Sequence, residues 1–163
     1  MIRFHTTHGD FTVELFDKEA PISVENFLKY VDDEHFDGTI FHRIVPGFVI
    51  QGGGLTTDFQ PKKTRAPIAN EATNRLKNER GTLSMARTNE VNSATSQFFV
   101  NLSDNAFLDH SKAQYGYAVF GRVSEGLDVV DAIAAVRTGT RKQYQDAPLE
   151  DVTIVSARRV DAA

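Results

Sequence analysis

Hydrophobic and polar residues alternate along several short stretches of this chain, and only twice does the period lengthen to that of a helix. Ile2 to Thr7 and Phe11 to Phe16 alternate on either side of His8-Gly9-Asp10, which predicts two strands and a hairpin turn with Phe11, Val13 and Leu15 on one face. From Pro21 the apolar residues Val24, Phe27, Leu28 and Val31 fall at i, i+3, i+4 and i+7, so a helix is predicted that fails near Asp32-Asp33. Pro21 suits its first turn, and Glu25 and Lys29 make an i, i+4 pair on its outer face. Gly81 to Ala86, Gln97 to Leu102 and Gly116 to Val123 alternate again, and Val152, Ile154 and Val160 supply a closing strand. A second helix is predicted over Leu127 to Val136, with Leu127, Val130, Ile133 and Ala134 inward, Asp128 and Asp131 outward, and Ser124 as its N-cap.

The stretch that organises the rest is Phe41 to Gly54, two short apolar strands joined at the turn signal Pro46-Gly47, with one arginine among the hydrophobes. Alternation puts Ile40, His42 and Ile44 on one side and Phe41 and Arg43 on the other, and the turn brings Phe48, Val49 and Gln51 close to Arg43. A guanidinium there is either a snorkelling surface group or a working one. In Gln97 to Leu102, the set Phe98, Val100 and Leu102 should be core, while Gln97, Phe99 and Asn101 share the other face. An amide beside an aromatic suits the lining of a groove better than a plain outer surface. Leu55 to Arg80, Arg87 to Ser96 and Arg137 to Glu150 read as loops. Within the first, Ile68 to Glu71 is a short strand or a buried anchor, and a loop of that length is usually functional or mis-assigned. Phe107 and Leu108 follow Asp104-Asn105 on a loop or a single helical turn. Eight or so strands, two helices and no β-α-β alternation predict a mainly β fold, sandwich or closed barrel, in one domain over residues 1–163.

Composition narrows the chemistry. Twelve phenylalanines, four tyrosines and no tryptophan point to an aromatic-rich core or groove. A net charge of −4 argues against nucleic acid as a partner, and the pairs Lys62-Lys63 and Arg158-Arg159 read as solvated surface. The absence of cysteine removes disulfides, thiolate nucleophiles and cysteine-ligated zinc. His5 and His8 lack a third ligand nearby, so no metal is expected, and no cofactor is implied. Gly52 to Gly54 is not followed by Gly-Lys-Ser/Thr and reads as a strand end rather than a phosphate cradle. The Gly-x-Ser-x-Gly and His-Glu-x-x-His motifs are missing, which argues against an ordinary hydrolase. No signal-peptide pattern and no apolar run of membrane-spanning length are present, so a cytoplasmic protein without a membrane partner is expected. Phe41, Phe48, Val49, Phe99, Phe107 and Leu108 could build a non-polar pocket with Arg43, Gln51 and Gln97 as its polar groups, the usual make-up of a ligand site.

Phe41-His-Arg43, Phe48 and Gln51-Gly-Gly53 together resemble the signature of the cyclophilin family of peptidyl-prolyl isomerases, F-H-R-x-x-x-x-F-x-x-Q-G-G. The resemblance extends through the N-terminal Phe-x-Thr-x-x-Gly hairpin, the Ala-Pro start of the first helix, Gly81 to Ala86, Ser96 to Phe99, Phe107-Leu108 and Val119 to Gly121. Asn70-Glu71, Lys77-Asn78 and Met85 to Thr88 are similar to the bacterial cytoplasmic branch. It implies a closed eight-stranded antiparallel barrel capped by two helices, acting on proline-containing peptides and on unfolded or folding proteins as a monomer. It also implies a proline pocket of Phe48, Val49, Phe99 and Leu108, backbone contacts at Ala86, Arg87 and Thr88, hydrogen bonds from Gln51 and Gln97, and catalysis by Arg43. Phe107 stands where many members carry tryptophan, Tyr117 where many carry histidine, and Val49 where many carry methionine. Weak binding of cyclosporin is implied. The alternative reading is a proline-peptide receptor or chaperone that uses the groove without catalysis.

Overall fold

The computed structural model describes residues 1–161. Ten strands form: β1 (Ile2–Thr6), β2 (Gly9–Leu15), β3 (Arg43–Val45), β4 (Val49–Gly52), β5 (Thr82–Met85), β6 (Phe98–Asn101), β7 (Val119–Glu125), β8 (Thr138–Arg141), β9 (Tyr144–Pro148) and β10 (Ile154–Arg159). Two helices accompany them, α1 (Pro21–Asp32) and α2 (Leu127–Ala134). Eight strands make one antiparallel sheet in the order β10-β1-β2-β7-β5-β6-β4-β3. The expected mainly β architecture with two helices is therefore present, but the barrel is less than fully closed. Between the end strands the seam is a single bridge, Ile40 with Thr153, flanked by Phe41 N–H to Val152 O at 2.9 Å and Ile154 N–H to Thr39 O at 2.7 Å. Among the described residues no helix is long and apolar enough to cross a membrane.

The curled sheet closes around phenylalanine. Phe4, Phe11, Phe27, Phe36, Phe41, Phe98 and Phe120 are all buried, with neighbouring ring centroids 5.0 to 6.5 Å apart in tilted, stacked and edge-on pairs. Helix α1 lies against β10 and adds Val24, Phe27, Tyr30 and Val31 to this core, while α2 lies against β2 and adds Val130 and Ile133.

The structure departs from the sequence reading in several places, each with a local cause. Phe41 and Arg43 do not share a face. Residues 41 and 42 lie outside the ladder, so the side-chain alternation is reset there, and Phe41 and Ile44 both enter the main core while Ile40 joins a separate cluster with Leu55, Phe59 and Ala147. Ser124 is not the cap of α2. It belongs to β7, and Gly126 takes the N-cap position at φ 88°, where a Cβ would stand 2.6 Å from Asp10 O. The polar segment read as a loop from Arg137 to Glu150 folds as the hairpin β8–β9, pinned by Arg141 to Asp151 at 2.7 Å and by packing of Tyr144 on Phe59. The strand expected from Gly116 begins only at Val119. Arg158 and Arg159 are not simply solvated, for they pair with Asp37 at 2.7 Å and Asp32 at 2.8 Å. The Lys62 ammonium donates to the backbone oxygen of His35 at 2.6 Å.

Ile68 to Glu71 proves to be an anchor. Ile68 bridges Ala94, and the Glu71 carboxylate accepts from the backbone N–H of Ile22 at 3.2 Å and of Ser23 at 2.6 Å, and from the Ser23 hydroxyl at 2.8 Å. Ala20, at the N-cap of α1, supplies no side-chain acceptor. A carboxylate from 49 residues away thus caps the helix and meets the positive end of its dipole. Glu71→Ala is expected to destabilise the protein by about 1 kcal/mol, and Glu71→Gln by less. Urea unfolding of both variants checks this.

Candidate active site

Strand register gathers the site. Arg43 of β3 pairs with Gln51 of β4, which pairs in turn with Phe99 of β6. Period-two geometry then sets Arg43, Val49, Gln51 and Phe99 on the outer face of the sheet while Ile44, Ile50, Phe98 and Val100 fill the core. Above the outer face, a 3-10 turn at Ala106–Leu108 lays Leu108 over Val49, Ala86 and Phe99, with Phe48 and Tyr117 packed against them.

The result is a pair of recesses that share a wall. The larger, of about 240 Å³, is lined by Arg43, Phe48, Val49, Gln51, Ala86, Arg87, Phe99, Leu108 and Tyr117. The smaller, of about 150 Å³, adds Thr88, Ser93, Thr95 and Gln97 to the shared Gln51, Ala86 and Arg87. Phe107 lines neither. It stands at the rim, 63% exposed, stacked on Phe48 at 5.5 Å between ring centroids. The twelve site residues implied by the resemblance therefore come together, but Phe41, also read as pocket lining, does not, because it is fully buried on the core side of the sheet. Asn101, read as groove lining, does not join them. It is fully buried and bonded to Asn78, Thr82 and Asn105.

Arg43 is half-buried, its guanidinium carbon 5.7 Å from the centroid of the Phe48 ring, with no carboxylate in ion-pair range among the described residues. Gln51 Nε2 donates to Gln97 Oε1 at 3.0 Å, which leaves the Gln51 carbonyl and the Gln97 amide N–H groups for a ligand. Gln97 can lie there because Gly54 has no side chain: a Cβ would come within 2.5 Å of Gln97 Cγ. The Arg87 guanidinium lies 4.6 Å from the Tyr117 ring centroid, tied to Gly116 O by Nε at 3.1 Å and Nη2 at 3.0 Å.

Three contributors were missed by sequence reasoning. Ser93 accepts from Thr88 N–H at 3.0 Å and braces the loop that carries Arg87 and Thr88, and Thr95 lines the smaller recess. Asn105, read only as a turn residue, is buried and donates through Nδ2 to Phe48 O and to Asn101 Oδ1, both at 2.9 Å. A Ser or Thr in an aperiodic polar loop carries no signal that separates a brace from a solvated side chain, so the sequence offered nothing to find them by.

His42, beside Arg43, is buried with no hydrogen-bond partner for Nδ1, and burial first and the Arg43 charge second depress its pKa to about 4. The unfolded imidazole binds a proton near pH 6.5, so between about pH 6.5 and 4 the unfolded chain holds more protons than the folded one. Stability is complete above that window and is lost as the pH falls through it, by about 3 kcal/mol from this one group. Unfolding free energies measured across the window should fall steeply for the wild type and less steeply for His42→Gln.

A concave, largely apolar recess with a few convergent polar groups is the geometry of a ligand site. Residues 1–159 match the model of the family described as cyclophilin type peptidyl-prolyl cis-trans isomerase/CLD. The chain is 55% identical over 160 residues to a peptidyl-prolyl cis-trans isomerase of Streptomyces antibioticus, covering 96% of each chain. It is 51% identical over 159 residues to peptidyl-prolyl cis-trans isomerase B of Escherichia coli (strain K12), covering 96% of this chain and 97% of that one. Its fold matches a crystal structure of a Cryptosporidium parvum cyclophilin type peptidyl-prolyl cis-trans isomerase, solved in the presence of the dipeptide Ala-Pro, with a TM-score of 0.82, 26% identity and 99% of both chains covered. The chain belongs to the cyclophilin-type peptidyl-prolyl cis-trans isomerase family.

Proposed function

We infer that the protein is a peptidyl-prolyl cis-trans isomerase in which the larger recess takes the proline ring and Arg43 acts on the bond being turned. The observation that carries this reading is a guanidinium with no carboxylate partner among the described residues, set in the wall of an apolar recess of about 240 Å³ beside Gln51. An X-Pro amide resists rotation because its nitrogen lone pair is delocalised into the carbonyl, giving a barrier of about 18–20 kcal/mol. A cationic donor aimed at the proline nitrogen localises that lone pair in the twisted state, and no bond is broken, so neither nucleophile nor base is needed. Gln51, Gln97 and the backbone from Ala86 to Thr88 hold the flanking peptide.

Magnitudes divide the task. Bringing isomerisation from tens of seconds to milliseconds requires about four powers of ten, or about 5–6 kcal/mol. One charge-assisted hydrogen bond contributes about 1.5–3 kcal/mol. The remainder falls to the walls: Phe48, Val49, Phe99, Leu108 and Tyr117 exclude water and hold the chain twisted, in a site whose dipoles are already oriented.

The same reading includes one domain over residues 1–163 that works as a monomer in the cytoplasm on proline-containing segments of unfolded and folding proteins. Cyclosporin should bind weakly, since the exposed ring of Phe107 has no N–H to donate. The test is the refolding of a protein limited by proline isomerisation: its slow phase should shorten when this protein is present at a small fraction of the substrate concentration. A slow phase that stays unchanged contradicts the reading.

A further inference from the structure

Arg43 and Arg87 line the groove, and among the described residues no carboxylate lies within ion-pair range of either. Six of the eleven arginines, Arg65, Arg80, Arg122, Arg141, Arg158 and Arg159, have an aspartate or glutamate within ion-pair range. Among the described residues Arg43 and Arg87 have none, and both line the larger recess. The neighbourhood is therefore positive in a chain whose net charge is −4.

Arg87 is held, but only by neutral partners. Nε and Nη2 donate to Gly116 O, Nη1 donates to Thr88 O at 2.9 Å, and the guanidinium lies over Tyr117 at 4.6 Å. A guanidinium has five N–H groups, so these contacts fix its plane and leave donors unused. Arg87 is also among the residues that line the smaller recess, where Thr88, Ser93 and Thr95 add hydroxyls to the amides of Gln51 and Gln97. Glu90, the acid nearest in sequence, is exposed and forms no ion pair among the described residues.

We propose that Arg87 is a specificity-determining residue that favours substrates with an acidic side chain within two residues of the proline, the ring filling the larger recess and the carboxylate meeting the guanidinium beside Tyr117. This rests on the isomerase reading of the groove. A planar cation already fixed and partly desolvated gains a carboxylate partner with little reorganisation, and its fork matches the two oxygens.

The test compares peptides that differ only in carrying Glu or Gln at one of the two positions on either side of a proline, with kcat/KM taken from exchange NMR. The wild type should turn over the Glu peptide about fivefold better at one or more of these positions. The ratio should fall toward one in Arg87→Gln, persist in part in Arg87→Lys, and shrink as salt rises from about 0.02 M to about 0.5 M. Both variants are read as ratios between peptides, so a general loss of activity does not obscure the result. The Gln series tests the isomerase reading by itself. Acceleration of the Gln peptides with a ratio near one at every position leaves that reading standing and overturns this one, and so does a ratio that survives Arg87→Gln unchanged.

Discussion

Replacing Arg43 by alanine is expected to slow catalysed prolyl isomerisation by about ten- to a hundredfold while peptide affinity changes only a few-fold. The asymmetry follows from where the residue sits. Arg43 is at the edge of the apolar recess, over Phe48, whereas the surfaces that would bury a proline ring are Phe48, Val49, Phe99 and Leu108. Removing the guanidinium leaves those surfaces in place, so ground-state binding survives. The transition state loses a charge-assisted hydrogen bond of about 1.5–3 kcal/mol, which sets the range of the rate loss. An interaction made only in the transition state lowers kcat and kcat/KM together, so KM should move little. Arg43→Lys keeps the charge on a compact head without the planar fork, and should fall between the two. Steady-state kinetics and peptide titration on the three proteins check the pattern.

Phe98→Ala is expected to have the largest effect on stability, a loss of about 3–5 kcal/mol. The Phe98 ring is fully buried, with centroids of Phe4 at 5.6 Å, Phe27 at 5.6 Å, Phe36 at 5.5 Å and Phe41 at 6.1 Å around it. These come from β1, α1 and the segments before β3, so the cavity would open where several elements meet. Phe99 follows on the opposite face of β6, in the separate cluster that lines the groove, so the residues of the site itself are left in place. The loss is a large part of the 5–15 kcal/mol typical of a domain. Denaturant unfolding should show a lower midpoint with an unchanged slope, and activity per folded molecule should be largely retained well below that midpoint.

The parts of this molecule that follow a period were legible in its sequence. Phe98, Val100 and Leu102 were placed in the core by alternation alone, and Val130 and Ile133 by the helical repeat, because each set answers to a single buried face. The groove residues were legible for a different reason: Arg43, Gln51 and Phe99 are polar or aromatic groups on the face of short strands opposite the core, and Gln97 immediately precedes one, although the same alternation put the buried Asn101 in the groove. Where the ladder is interrupted, that reasoning failed. Residues 41 and 42 leave the sheet, and the inferred side of Phe41 was wrong as a consequence. Contacts between distant segments left no local trace at all. Glu71 reaches the start of α1, and Asn78, Asn101 and Asn105 meet in a buried amide network beneath Phe48 and Leu108, though nothing near any of them in the chain announces a partner. The hairpin β8–β9 was hidden by its polarity, since its strands are held by Arg141, Tyr144 and their partners rather than by an apolar face.

The central claim is that the groove lowers the barrier to rotation about an X-Pro bond rather than merely holding the peptide. Two-dimensional exchange NMR of an X-Pro peptide, recorded with the wild-type protein at a small fraction of the peptide concentration, tests it most directly. Cis and trans resonances that are static on the experimental timescale without protein should exchange when it is added, and should exchange about ten- to a hundredfold more slowly with Arg43→Ala although that variant still binds. Peptide resonances that shift on binding the wild type but show no exchange between cis and trans would contradict the account and leave a proline-peptide receptor in its place.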